Sequence, residues 1–258
     1  MKLCYNTDVN VIGSIPDYHM IIKALPYIYK KDNYAEESIV RDNEFNFRTE
    51  KSRKRFLSAL NSAFVNENQE VNDFIGNLLV EKKLDENSKK IVLFWTLNLN
   101  NQLFREINQN VFLRKYYQGR AELPMIEVEA YLRDLISTTD ELKGRWSNTT
   151  INTIASKYLT ILKKLDLLGG RKKKLFSFIS VSDELIACLI HLHSLLNLQG
   201  ANFMEHEFSQ WMFIPKDSIL ERLKKISKRD WIEMNYAGKT LKVGSKFETK
   251  NIIDGIFR

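Results

Sequence analysis

Residues 146–180 read WSNTTINTIASKYLTILKKLDLLGGRKKKLFSFIS. Ser147 is placed to cap a helix, because its hydroxyl can accept from the free backbone N–H groups of the first turn. Trp146, one residue before the cap, and Ile151, four residues after it, form the apolar pair of a hydrophobic staple. Ile151, Ile154, Ala155, Tyr158, Leu162 and Leu165 then recur at helical spacing. The pattern predicts a helix to about Leu168, stopped by Gly169-Gly170. Four consecutive cations follow, Arg171, Lys172, Lys173 and Lys174, and then a β-prone run, Leu175 to Ile179.

The face opposite the apolar stripe carries Thr149, Thr153, Ser156 and Thr160, with Asn152 and Lys157 on its flanks. None of these is acidic. A helix that approaches a phosphate-lined groove must exclude carboxylates, whereas Asn, Ser, Thr and Lys can bond base edges or phosphate oxygens. The preceding polar connection is longer than the turn of a minimal helix-turn-helix. A winged-helix arrangement fits better, with Arg171 to Lys174 opening the wing.

Similar signals occur on both sides. Thr49 opens a helix with Phe56, Leu57, Leu60, Ala63 and Phe64 on one face and the cations Arg48, Lys51, Arg53, Lys54 and Arg55 around its start. Toward the C-terminus, Asp217 or Ser218 is placed to cap a helix carrying Ile219, Leu220, Leu223 and Ile226. Lys224, Lys225, Lys228 and Arg229 surround its end. A hairpin follows, Trp231 to Tyr236 and Lys239 to Val243, turning at Ala237-Gly238. These last cations equally suit a helix C-terminus, whose macrodipole favours positive charge.

Elsewhere the pattern is helical. Residues 18–30 have helical spacing interrupted by Pro26, which predicts two short helices or a kink. Residues 32–43 look like another helix start, with Asp32 and Asn33 as caps. Val71 to Val80 and Lys89 to Phe112 read as helices, the latter buried through Phe94, Trp95, Leu97, Leu103 and Ile107. Pro124 starts a helix with Val128, Tyr131, Leu132 and Leu135 on one face. Asp183 to Leu198 makes another. No internal repeat of fixed period is visible.

The chain has 258 residues, 44% hydrophobic and 28% charged, with a formal net charge of +7. That composition is globular, and its charge favours an acidic partner, nucleic acid before an anionic membrane surface. Residues 1–123 hold 18 Lys+Arg against 16 Asp+Glu, and residues 124–258 hold 21 against 16, so the excess lies C-terminal. Cys4 and Cys188 stand alone and suggest neither a disulfide framework nor a metal site. No signal-type segment or bilayer-length apolar run is present, which predicts a cytoplasmic protein.

Catalytic signatures are missing. His191 and His193 point to different helix faces, and His206 between Glu205 and Glu207 is not part of a His-Glu-x-x-His pattern. There is no phosphate-binding Gly-rich loop. Glu81-Lys82-Lys83 and Asp17 resemble fragments of a nuclease site, but both lie in helix or loop sequence rather than on the adjacent strands that hold a metal.

Three blocks together resemble the BrxA-type proteins of bacteriophage exclusion (BREX) systems. They are Asn46 to Phe56 with Leu60 and Ala63-Phe64; Trp146 to Thr150 through Tyr158-Leu159 to Gly169; and Asp230-Trp231-Ile232-Glu233 before the hairpin. The resemblance implies a mostly helical protein with helix-turn-helix elements that binds duplex DNA without its own catalysis. It implies work in a defence island beside a methyltransferase, an ATPase and a protease-like effector. It also gives a DNA-binding role to Arg48, Arg53, Arg55, Thr149, Asn152 and Lys157.

The expectation is a mostly α protein, with a bundle-like helical domain over residues 1–122 and a winged-helix-like region over 123–258 bearing short β-hairpin wings. The expected partner is double-stranded DNA, with other BREX proteins as further partners and no cofactor, metal or small-molecule substrate. A protein–protein adaptor and an RNA-binding regulator are the alternatives.

Overall fold

The computed structural model describes residues 5–30 and 34–257. Cys4 and the expected caps Asp32 and Asn33 lie outside the described residues. In chain order the helices are α1 (Val9–Ile12), α2 (His19–Tyr29), a π-helical segment (Glu36–Arg41), α3 (Glu50–Phe64), α4 (Gln69–Val80), α5 (Glu86–Asn100) and α6 (Gln102–Ile107). A second π-helical segment (Asn108–Phe112), α7 (Leu113–Tyr117), α8 (Met125–Thr138) and α9 (Asn148–Lys164) follow. After the strands β1 (Leu168–Gly169) and β2 (Leu175–Phe176) come α10 (Asp183–Leu195), α11 (Glu207–Gln210) and α12 (Lys216–Ser227). The chain ends with β3 (Ile232–Ala237), β4 (Thr240–Ser245) and α13 (Ile252–Ile256). The protein is mostly helical with two small antiparallel hairpins, β1–β2 and β3–β4, as the sequence predicts.

Local chemistry moved several boundaries. The 18–30 segment is one helix that runs through Pro26 rather than two. The expected Lys89–Phe112 helix breaks at Asn101, whose side chain accepts from the Phe104 N–H at 2.9 Å and caps a new helix. α9 ends at Lys164, not Leu168. Asp166 adopts φ 59°, and the Leu167 and Asp166 N–H groups bond back to Leu162 and Lys163 at 2.9 and 3.1 Å. This is a Schellman ending made by Asp instead of Gly, so Leu168-Gly169 is free to become a strand. α10 stops at Leu195 in the same way, with Asn197 at φ 57°. α12 begins at Lys216 directly after Pro215, so Asp217 lies inside its first turn. The C-terminal hairpin turns at Gly238-Lys239, one residue later than expected, with Ala237 opposite Thr240. Gly238 takes φ 61° at the first central position, as a type II′ turn requires.

The chain forms two compact units, Met1–Glu67 with Lys89–Phe178, and Asn68–Ser88 with Ile179–Arg258. Each draws on both sides of Leu123. In the first, α5 is buried on every side through its last ten residues, Ile91 to Asn100, as a core helix must be. The inner face of α9 is buried in this unit, and each of its large apolar side chains contributes about 1.5–3 kcal/mol of burial. Buried Tyr158, Asn108 and Asn98 form a hydrogen-bonded chain there. The Tyr158 hydroxyl donates to Asn108 Oδ1 at 2.6 Å, and the Asn108 amide donates to Asn98 Oδ1 at 3.0 Å. This chain fixes α9 to the helices behind it.

In the second unit, α4, α10 and the β3–β4 hairpin share a core. The Asn68 amide donates to the Leu195 carbonyl at 3.1 Å, and His191 meets the Phe74 ring at 4.7 Å and Ser245 Oγ at 2.9 Å. His193 faces the other way, toward Phe203, His206 and Phe208. Burial pushes both imidazoles down to about 4, and in His193 the neighbouring His206 adds to it. An unfolded histidine binds its proton near pH 6.5. The folded chain therefore carries fewer protons than the unfolded one between pH 6.5 and about 4. Stability is intact above that window and falls as pH drops through it. Denaturant unfolding at pH 7 and pH 5 should differ by on the order of 1–2 kcal/mol per histidine. The His193→Phe variant should lose its own share of that dependence. Equal midpoints at the two pH values would contradict the buried neutral pair.

Candidate nucleic-acid interface

α9 has the local signals its sequence advertises. Ser147 Oγ accepts from the Thr150 N–H at 3.2 Å. Thr149, Asn152, Thr153 and Ser156 are exposed, while Ile151, Ile154, Ala155, Tyr158 and Leu162 are buried. The polar rim is thus presented to solvent. Thr153 and Thr160 donate their hydroxyl protons to the carbonyls of Thr149 and Ser156, both at 2.8 Å. They keep lone pairs outward but no free proton. Asn152 and the Ser156 hydroxyl make no hydrogen bond to other described side chains, so Asn152 can both donate and accept toward a ligand.

The wing is a five-residue loop, 170–174, between paired strands. Leu168 lies opposite Phe176 and Gly169 opposite Leu175. On the far side of β2, Glu122 bridges to Leu175, and the Leu123 N–H donates to the Lys174 carbonyl at 2.8 Å. The segment before α8 thus acts as a third, minimal strand. Gly170 makes the loop possible. It has φ 78°, and a Cβ there would lie 2.2 Å from the Lys173 carbonyl oxygen. Arg171, Lys172 and Lys173 are exposed. Lys173 pairs with Glu122 at 3.5 Å, and Lys174 donates to the Arg171 carbonyl at 3.1 Å. Lys172 has no ion-pair partner among the described residues. Between wing and α9 lies a cleft of about 380 Å³.

Two α9 lysines face a different neighbour. α1 packs on α9, and a Cβ on Gly13 would lie 2.7 Å from the Lys157 carbonyl oxygen. Lys157 is accordingly half-buried. Lys164 donates to the Gly13 carbonyl at 3.1 Å and to Ile15, and sits 5.6 Å from the Tyr18 ring centroid. Burial first, then repulsion from Lys157, pulls its pKa down. Cations missed by sequence reasoning stand at the other end. Arg133 of α8 is exposed and donates to Asn148 Oδ1 at 2.5 Å, and exposed Arg145 lies two residues before the Ser147 cap of α9. Arg145 was findable, because a cation before a carboxylate-free helix start is an anion-binding pattern. Arg133 was not, because only the packing of α8 on α9 brings it there.

The early cluster is at the start of α3, where Thr49 Oγ1 accepts from the Ser52 N–H at 3.1 Å. Arg48, Lys51 and Arg55 are exposed. Lys54 pairs with Glu50 at 2.5 Å, and Arg53 is half-buried. α3 belongs to the same unit as α9, and α1 packs against both.

The late cluster, in the second unit, is largely engaged. Asp183, buried in the first turn of α10, is met by Arg222, by Lys225 at 3.5 Å and by Arg229 at 3.3 Å. Arg229 also pairs with Glu184 at 3.1 Å and lies 4.8 Å from the Trp231 ring centroid. Lys224 and Lys228 stay exposed. The exposed side of α12 also carries Asp217 and Glu221, unlike the carboxylate-free rim of α9. Glu81 accepts from the Lys83 N–H at 2.8 Å and Asp17 from the His19 N–H at 2.9 Å, so both serve local turns. Among the described residues no three His, Cys, Asp or Glu side chains converge as a metal would need. No helix among them is long and apolar enough to cross a membrane.

Fold and site together define a mostly helical protein in which a polar-faced helix is followed by a small basic hairpin. A sequence model of the BrxA family matches residues 20–192, well over half of the chain. The chain belongs to the BrxA family, whose members are BrxA-type proteins of BREX phage-defence systems. No curated protein matches it.

Proposed function

We propose that the protein is a non-enzymatic double-stranded DNA-binding component of a BREX phage-defence system. In this reading α9 lies in a major groove with Thr149, Asn152 and Thr153 toward base edges. The 170–174 wing lies along the adjacent backbone, and Arg133 and Arg145 hold phosphates at the α9 N-terminus. The observation that carries it is the exposed, carboxylate-free rim of α9 beside a wing whose Arg171 and Lys172 reach solvent. Arg48, Lys51 and Arg55 add positive potential in the same unit, whereas Lys225 and Arg229 mainly neutralise Asp183.

The test is fluorescence anisotropy on a labelled duplex over a salt series, with structured RNA as competitor. About four phosphate contacts predict a loss of roughly a hundredfold in affinity between 50 and 200 mM salt. Salt-independent or absent binding sinks the proposal, and preferential competition by RNA transfers it to RNA. A second reading, docking to another defence protein, is favoured by Phe178, Ile126 and Leu175, which are 94%, 65% and 44% exposed. Purified BREX proteins titrated against the Phe178→Ser variant separate that role from DNA binding.

A further inference from the structure

The cleft between α9 and the wing has a chemistry that duplex phosphates do not need. Leu123 and Leu159, both buried, and the half-buried Pro124 and Met125 line it with apolar surface. Its rim is Lys172, Lys173 and Lys174, with Ser156 on the helix side. Glu122 also lines it, but its carboxylate is paired with Lys173 at 3.5 Å. The net charge of the rim is therefore positive, with Lys172 having no partner among the described residues. A passing backbone uses only the rim cations, so an apolar lining below them calls for a ligand with an apolar body as well as an anionic end. The volume, about 380 Å³, lies at the small end of the range for small-molecule sites.

We propose that this cleft binds a free mononucleotide, with its base against Leu159, Pro124 and Met125 and its phosphate on Lys172 and Lys174. Base stacking on apolar surface and lysine–phosphate attraction would then act together, and neither half alone would suffice. The inference stands on the cleft and not on the duplex-binding reading. Because it fills the space between helix and wing, a bound nucleotide would also compete with any backbone laid there.

The experiment is calorimetric titration of the intact protein with AMP, and separately with adenosine and with inorganic phosphate. AMP is expected to saturate below about 1 mM, with either half at least about tenfold weaker. Lys172→Glu, on the exposed loop, is expected to weaken AMP at least tenfold, and Ser156→Trp, on the exposed helix face, to block it by filling the cleft. Thermal melts of both variants establish that they fold. No saturation by AMP, phosphate binding as tightly as AMP, or unchanged affinity in both folded variants each overturns the proposal. Duplex anisotropy on the same samples keeps the two readings apart: duplex binding without AMP binding removes only the nucleotide site, and AMP binding without duplex binding removes only the DNA function.

Discussion

Reversing Lys172 and Lys173 to glutamate should weaken duplex binding by at least tenfold at about 0.15 M salt, to the same degree on unrelated sequences. Each cation that neutralises a phosphate releases counterions, so removing two should flatten the salt slope by about two. The effect should be uniform because phosphates carry no sequence information. Asn152→Ala makes the contrast. Its amide stands on the exposed rim with both donor and acceptor free, and a bidentate contact to adenine is worth about 1–3 kcal/mol of discrimination. That variant should keep its salt slope and lose preference among sequences. The measurement is a competition panel of duplexes at two salt concentrations. Retained affinity in the double reversal removes the wing from the interface. A uniform loss in Asn152→Ala makes that residue a backbone contact.

The Asp183→Ala variant should lose about 2–3 kcal/mol of unfolding free energy. Asp183 is the buried member of a four-group cluster, with its side chain 6% exposed and Arg222, Lys225 and Arg229 around it. Breaking a buried pair by deleting one partner costs about 3–5 kcal/mol. Here the three cations reach solvent, which relieves part of that cost. Asp183 also offsets the positive end of the α10 dipole. Arg222→Ala should cost less, because Lys225 and Arg229 still hold the carboxylate. Denaturant unfolding of the two variants compares them directly. If Asp183→Ala costs less than about 0.5 kcal/mol, in the range of an exposed pair, the cluster does not anchor α12 to α10.

The same cluster marks a boundary of sequence reasoning. Lys225, Lys228 and Arg229 read as a basic patch because, with Lys224, they gather four cations within six residues. Asp183 lies more than forty residues upstream, and only the packing of α10 on α12 makes it the counter-ion of Lys225 and Arg229. Lys157 is a similar case: its place on the polar flank was legible, but its partial burial depends on Gly13. The 69–80 helix reads correctly as a helix, yet nothing local says that it packs with the chain beyond residue 179. The α9 ending was misjudged for a different reason. Gly169-Gly170 is the stronger stop signal, but Asp166 reaches the left-handed conformation first and closes the helix.

By itself, the sequence determined the elements whose signals are short in range: the Ser147 cap, the 3.6-residue apolar stripe, the acid-free outer face, the glycine at 170 and the cation run behind it. These follow from hydrogen bonds and side-chain volumes within one or two turns. The tertiary structure alone decided which cations remain free, because a charge is neutralised by whatever lies within a few ångströms regardless of its distance along the chain. It also decided that α9 keeps its polar rim in solvent. Burial of the opposite face against α1 and α8, with Tyr158 tied to Asn108, leaves that rim as the side with no core to enter.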